Sequence, residues 1–176
     1  MESIQCLAVL PRYEQWVGNI CELYGLDEEI EIRHITLKTQ MRRFFREVGI
    51  DEKQYYKIAS EILGIRKSLP LAYGPDRIFL PVRTRVPNIK NDGAHAYIRL
   101  NAIVRVTDYS ILLVGGVKLD CLQTKKSLVT SIQRARTIQR FLELEESKSK
   151  AEREVVNYIL KEGKMMHAAE MDEGLK

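Results

Sequence analysis

Leu37, Met41, Phe44, Phe45 and Val48 recur every three or four residues, the period of a helix buried along one stripe. Lys38, Arg42, Arg43 and Arg46 fall on its other side, and Gly49 supplies a left-handed stop. Asp51, with Gln54 three residues on, forms a capping box for a second helix whose apolar face is Tyr55, Ile58, Ala59 and Ile62, closed by Gly64. Two short helices joined at Val48–Ile50 invite a helix-turn-helix. Against it, the second helix offers Glu52, Lys53, Lys57, Ser60 and Glu61 outward, a poor set for reading a DNA groove.

Elsewhere the period is closer to two. Ile4 to Leu10 is an apolar run that Pro11 ends, a first strand; residues 16–24 fit neither period; residues 30–35 alternate as a second strand. In KSLPLAYGPDRIFLPVRTR (67–85), a Gly74-Pro75-Asp76 turn leads into a short apolar strand, Arg77 to Leu80. Pro70, Pro75 and Pro81 keep it near an edge or bend, because proline lacks the amide donor a ladder needs. From Ile98 to Val106 clean alternation predicts one half-buried strand with Arg99 and Arg105 on its wetter side. Gly115-Gly116 then marks a two-residue hairpin between residues 111–114 and 117–121.

From Leu128 the period turns helical again, with Leu128, Ile132, Ala135, Ile138 and Leu142 on one stripe. A Ser149–Glu152 capping box predicts a further helix ending at Gly163, and residues 164–176, without a sustained pattern, read as a mobile tail. The fold class is therefore α+β: an antiparallel sheet of about six short strands, an early helical pair and C-terminal helices. Residues 1–145 form the binding domain, and 146–176 a C-terminal helix and tail.

Composition narrows the function classes. The 176 residues suffice for one domain with a helical extension, and 45% hydrophobic content supports a real core. No apolar run reaches the roughly 18 residues a membrane span needs, and the N-terminus lacks a signal peptide's basic start and cleavage site. Cys6, Cys21 and Cys121 are odd in number and widely spaced, giving no disulfide framework or metal motif. A cytoplasmic protein with reduced thiols, no cofactor, no metal and no membrane association is expected. HExxH, GxSxG and Walker sequences are absent, and His34 and His95 lack acid or thiol partners at ligand spacing. An enzyme is not expected.

Charge redirects attention. Residues 1–32 hold one Arg against seven acids, residues 33–140 twenty-one Lys or Arg against eight acids, and residues 141–176 six against nine. A basic middle between acidic ends fits a nucleic-acid surface. Its candidate contacts are Arg42, Arg43 and Arg46 on the first helix; Lys67, Arg77, Arg83 and Arg85 around the Pro-bounded strand; Lys90 in the NIKNDG loop; Arg99 on the long strand; and Lys125, Lys126, Arg134 and Arg136 on the helix that meets no acid before Glu143. Arg83 and Arg85, two apart in an extended segment, are expected to point to one side as a reader of phosphates or of a narrow groove. A continuous positive face uniting Arg42, Arg43, Arg83 and Arg85 would favour DNA. Their dispersal would favour an adaptor whose basic face meets an acidic protein.

The opening CLAVLPR, RRFF at 42–45, KSLPLAYGPDRIFLPVRT at 67–84, the strand start at Tyr97-Ile98 and the late SIQRARTIQRFL occur in an order and spacing that resembles the competence transcription factor ComK family. The resemblance covers roughly residues 4–145. It implies a bacterial transcriptional activator that binds double-stranded, A/T-rich DNA through the minor groove, acts as a homo-oligomer on DNA, and is handed by its tail to an adaptor and protease. The loop at 88–93 lacks the Cys and Trp expected before the following strand, and the tail does not match the adaptor-binding segment.

Overall fold

The computed structural model describes residues 1–26, 29–89 and 92–173. In chain order, strands β1 (Ala8–Glu14), β2 (Gly18–Tyr24) and β3 (Ile30–Arg33) precede helices α1 (Leu37–Glu47) and α2 (Glu52–Leu63). Then come β4 (Leu71–Ala72), β5 (Ile78–Arg83), β6 (His95–Arg99), β7 (Ile103–Thr107), β8 (Ser110–Leu113), β9 (Lys118–Asp120) and α3 (Lys125–Glu173). Six strands form one sheet in the order β3-β2-β1-β6-β5-β4, and β7-β8-β9 form another, with every pairing antiparallel. The α+β class, six-stranded antiparallel sheet and early helical pair are as the pattern predicts, and helix again closes the chain. The chain separates into two compact units, Met1–Arg140 and Phe141 onward.

The helical pair forms where its stripe and caps predict. Thr36 caps α1 by accepting from the Thr39 amide at 3.2 Å. Asp51 caps α2, accepting from the Lys53 and Gln54 amides at 2.7 and 3.0 Å, and Gly64 ends it at φ 64°. Leu37, Met41, Phe44 and Phe45 bury against Val9, Cys21, Leu23, Leu71, Tyr73 and Phe79, residues that the strand register places on one face of the large sheet. On the other face Ala8, Leu10, Leu80, Val82, Ala96 and Ile98 are buried, as are Ile111, Leu113 and Leu119 of the small sheet and Leu128, Ala135 and Ile138 of α3. The exit of β9 is tied to β5 at Arg83, whose carbonyl accepts from the Leu122 amide (2.7 Å) and whose amide donates to Gln123 Oε1 (2.9 Å).

Five expectations need correction. Pro11 does not end the first strand but lies inside β1, where β6 pairs only with Ala8 and Val9, so one flank of the ladder is already open. The alternating run at 30–35 does form a strand, but it is the third and not the second, because residues 18–24 already form β2; in this edge strand Ile30 and Ile32 face outward, 52% and 55% exposed. The run 98–106 is two strands in different sheets, split by a 3₁₀ turn at Leu100–Ala102 that shifts the side-chain phase and leaves Val104 exposed. Gly115 and Gly116, both at positive φ, do turn a hairpin, but its loop spans more than two residues, since Leu112 pairs with Lys118. Finally, α3 passes through both Ser149 and Gly163 without a break; residues 164–173 continue the helix, and 174–176 lie outside the described residues. Serines inside it bond backward instead of capping, as Ser147 does to the Glu143 carbonyl at 2.8 Å. In the second unit Leu144 and Val155 are exposed, and Lys148 pairs with Glu145 at 2.9 Å. Among the described residues no helix is long and apolar enough to cross a membrane.

Two outcomes follow from this packing. Phe79 is fully buried among Phe44 and Tyr73, so Phe79→Ala should lower stability by about 3–5 kcal/mol in urea unfolding followed by circular dichroism. At the β3 edge, Arg33 Nε donates to Glu31 Oε1 (2.6 Å), and this bond, with the Met1 amine, pulls the Glu31 carboxyl down to about 2 from its ordinary 4.5. A depressed carboxyl contributes stability above its unfolded pKa and loses it as pH falls toward the folded one. Glu31→Gln should therefore flatten the stability change between pH 4.5 and about 2, read by thermal melts across that range.

Candidate nucleic-acid interface

Twelve of the thirteen candidate cations separate into three groups once the side chains are placed. Arg99 belongs wholly to the fold: Nε and one terminal nitrogen donate to the Asp76 carbonyl (3.1 and 2.9 Å), the other to the Ile4 carbonyl (2.7 Å). Arg77, half-buried, donates to Ser3 Oγ at 3.2 Å. Arg85 is a third brace. Its Nε donates to the Gly93 carbonyl (2.8 Å), one terminal nitrogen to Asn19 Oδ1 (2.9 Å), and its guanidinium carbon stands 4.1 Å from the Tyr13 ring centre. Carbonyl oxygens and a ring face suit the planar fork of arginine, which is why these positions are spent on structure.

A second group lies on the helical pair and the segment that follows. Arg42 is paired with Glu52 at 3.0 Å, while Arg43, Arg46 and Lys67 are exposed. Pairing of Arg42 and bracing of Arg85 leave no continuous free face uniting Arg42, Arg43, Arg83 and Arg85. Nor do Arg83 and Arg85 stand as a matched pair: the amides of both Thr84 and Arg85 reach the Ala94 carbonyl (3.0 and 3.3 Å), and Arg85 folds over Tyr13. Lys90 lies outside the described residues.

The third group is the coherent one. At 3.6 residues per turn, Lys125, Lys126, Arg136 and Arg140 fall within an arc of about 100° on α3, opposite the buried stripe of Leu128, Ala135 and Ile138. All four are exposed, Arg134 flanks the arc half-buried, and no acid occurs between positions 125 and 142. Asp108 accepts from the Lys125 amide at 2.7 Å and so caps the helix. Exposed Arg83 stands at the same end of α3: Gln123, which holds its backbone, also donates to Ser127 Oγ at 3.0 Å. The span from position 125 to 140 is about 22 Å at 1.5 Å per residue, enough to follow several phosphates.

Sequence reasoning left two exposed groups unassigned. Arg140 completes the α3 arc, and its i+4 spacing from Arg136 was legible. Trp16, the chain's one tryptophan, is 95% exposed at φ 69° in the β1–β2 turn, and nothing in the pattern of residues 16–24 marked that turn. Among the described residues no cluster of His, Cys, Asp or Glu could hold a metal. The three cysteines are buried free thiols, and burial pushes Cys6 up to about 12 and Cys21 to about 11. Compared with family models, curated proteins and solved structures, the chain matches none.

The division into braces and free cations is measurable. Arg99→Ala should lower stability by about 1–3 kcal/mol by leaving carbonyls unpaired, whereas Arg136→Ala should change it by no more than about 0.5 kcal/mol, both by urea titration.

Proposed function

We propose that this protein is a DNA-binding transcriptional regulator that grips duplex DNA through the phosphates, chiefly with the outward arc of α3 and with Arg83 beside its start. The observation that supports this most directly is the arc itself: four exposed cations over about 22 Å with no acid interleaved. The likeness to the ComK family supplies the remaining terms, an activator acting as an oligomer at A/T-rich sites and reading the minor groove. In such binding the phosphate contacts supply most of the affinity, and groove width and flexibility supply the preference.

The dispersal of the four arginines singled out for a single face favours a second reading. In it the protein is a regulatory adaptor and the same α3 arc meets an acidic protein partner. The two differ in their dependence on counterions. A duplex releases condensed cations from each neutralised phosphate, so affinity falls linearly on a double-logarithmic plot.

With about six phosphates neutralised, raising salt from 50 to 200 mM should weaken binding to an A/T-rich duplex roughly a thousandfold in fluorescence anisotropy. Arg136→Ala with Arg140→Ala should reduce the salt slope by about two and leave the melting temperature nearly unchanged. A shallow slope, or no anisotropy change at low salt, gives the lead to the adaptor.

A further inference from the structure

On the helical side of the large sheet a cavity of ≈450 Å³ opens between the start of α1, α2 and strands β1, β2 and β6. That volume lies within the range of sites that take small molecules, about 300–1,000 Å³. Its apolar wall includes Ile20, Met41, Tyr56 and Tyr97. Its polar wall includes Lys38, Arg85 and His95.

The charge on that wall is only partly spoken for. Asp92 lines the cavity; its carboxylate accepts from the Tyr13 hydroxyl at 2.6 Å and is held below the usual range by that bond, by Asn19 and by the charge of Arg85, so it offsets part of the positive wall without forming an ion pair. Glu52 is paired with Arg42. Arg85 has no carboxylate bound to it: two of its nitrogens go to a carbonyl and an amide oxygen, and Nη1 is buried with no hydrogen-bond partner among the described residues. Five donors in a fixed fork with one nitrogen idle in a buried place is an unfilled requirement for an acceptor. Lys38 forms no ion pair among the described residues. The start of α1 adds to the same side. Thr36, Leu37 and Lys38 line the cavity, the first turn holds no acid, and Thr36 caps only the Thr39 amide, so the positive helix end faces the space uncompensated. Burial and the nearby Arg83 push the His95 imidazole below its ordinary value, favouring the neutral ring, which donates from one nitrogen and accepts at the other.

We propose that this cavity binds a small organic anion, a carboxylate or phosphate carried on an aromatic or short aliphatic body, with the anion at Arg85 and Lys38 and the body against Tyr56, Tyr97 and Met41. The site is separate from the α3 arc and does not depend on DNA binding. Every element that builds it comes from the first 97 residues.

Titration of the full chain with phenyl phosphate, benzoate and neutral benzamide, followed by two-dimensional NMR, tests it. Phenyl phosphate or benzoate should bind saturably, shift the His95 and Tyr97 resonances, and bind at least about tenfold more tightly than benzamide. Preference between the two anions assigns the head group. Lys38→Gln, at an exposed position, should weaken anion binding about threefold or more with an unchanged melting temperature. Arg85→Gln should abolish it; should that variant fail to fold, Lys38→Gln and the benzamide comparison carry the decision. Equal binding of benzamide, inorganic phosphate binding as tightly as phenyl phosphate, or shifts confined to α3 with no effect of Lys38→Gln would overturn the proposal.

Discussion

The edge-to-face packing of Tyr73 on Phe79 and Phe44, with ring centres 5.7 and 5.8 Å apart, is the joint on which the first unit depends. Phe79 brings the centre of the sheet, Phe44 brings α1, and Tyr73 locks them by donating its hydroxyl to the Met41 carbonyl at 3.3 Å. Phe45 adds a fourth ring 4.8 Å from Tyr73 and passes the contact on to Tyr55 at 5.4 Å, which reaches the Pro70 carbonyl with its own hydroxyl. Aromatic rings bury much area with two torsions each, so the cluster orders two helices on a sheet at little entropic cost. The β4–β5 turn is built to deliver it: Gly74 sits at φ 139°, where only glycine is comfortable, and the Tyr73 amide returns to the Arg77 carbonyl at 3.0 Å.

The prolines act at the opposite end of the same strands. Pro11 lies past the last β1–β6 pair, and Pro81 lies past the last β4–β5 pair, so neither removes a donor from a doubly paired position. Past Val9, β1 and β6 part, while β1 stays paired with β2 through Glu14 and β5 with β6 through Arg83. That opening is where Arg85 is stretched between Tyr13, Asn19 and Gly93, and where the cavity above β1 and β6 begins. The two prolines thus occupy positions where one flank of the strand is already without a ladder partner.

Much of this was legible in the chain. The helix stripe from Leu37 to Val48, the Asp51 cap and the stops at Gly49 and Gly64 are local signals, and local geometry obeyed them. The failures share a cause. Alternation from Ile98 to Val106 does not reveal a 3₁₀ turn, because Leu100 and Ala102 are buried both in the straight strand and in the broken one. Ser149–Glu152 has the form of a cap, but residues 125–176 contain no proline, so nothing obliges the helix to stop there. For the candidate interface, sequence supplied the basic segment and the α3 cations. It could not say which arginines would be taken as braces, since most of the acceptors (Ile4 and Asp76 for Arg99, Asn19 for Arg85) are remote in sequence.

That last point separates two roles that a charge count merges. A braced arginine such as Arg99 has each of its three guanidinium nitrogens bonded to a backbone carbonyl, yet its charge remains and still contributes to the field around the domain. An approaching polyanion within a Debye length, about 10 Å at moderate salt, feels braced and free cations together. On contact only the free ones form hydrogen bonds and displace counterions. Under the proposed function, the excess of cations in residues 33–140 therefore bears on encounter and orientation, while the α3 arc bears on how long a complex lasts. Neutralising a braced arginine changes stability and the long-range field at once, and neutralising an arc residue leaves the fold alone. The two kinds of position answer different questions about the same surface, although the sequence writes both with the same letter.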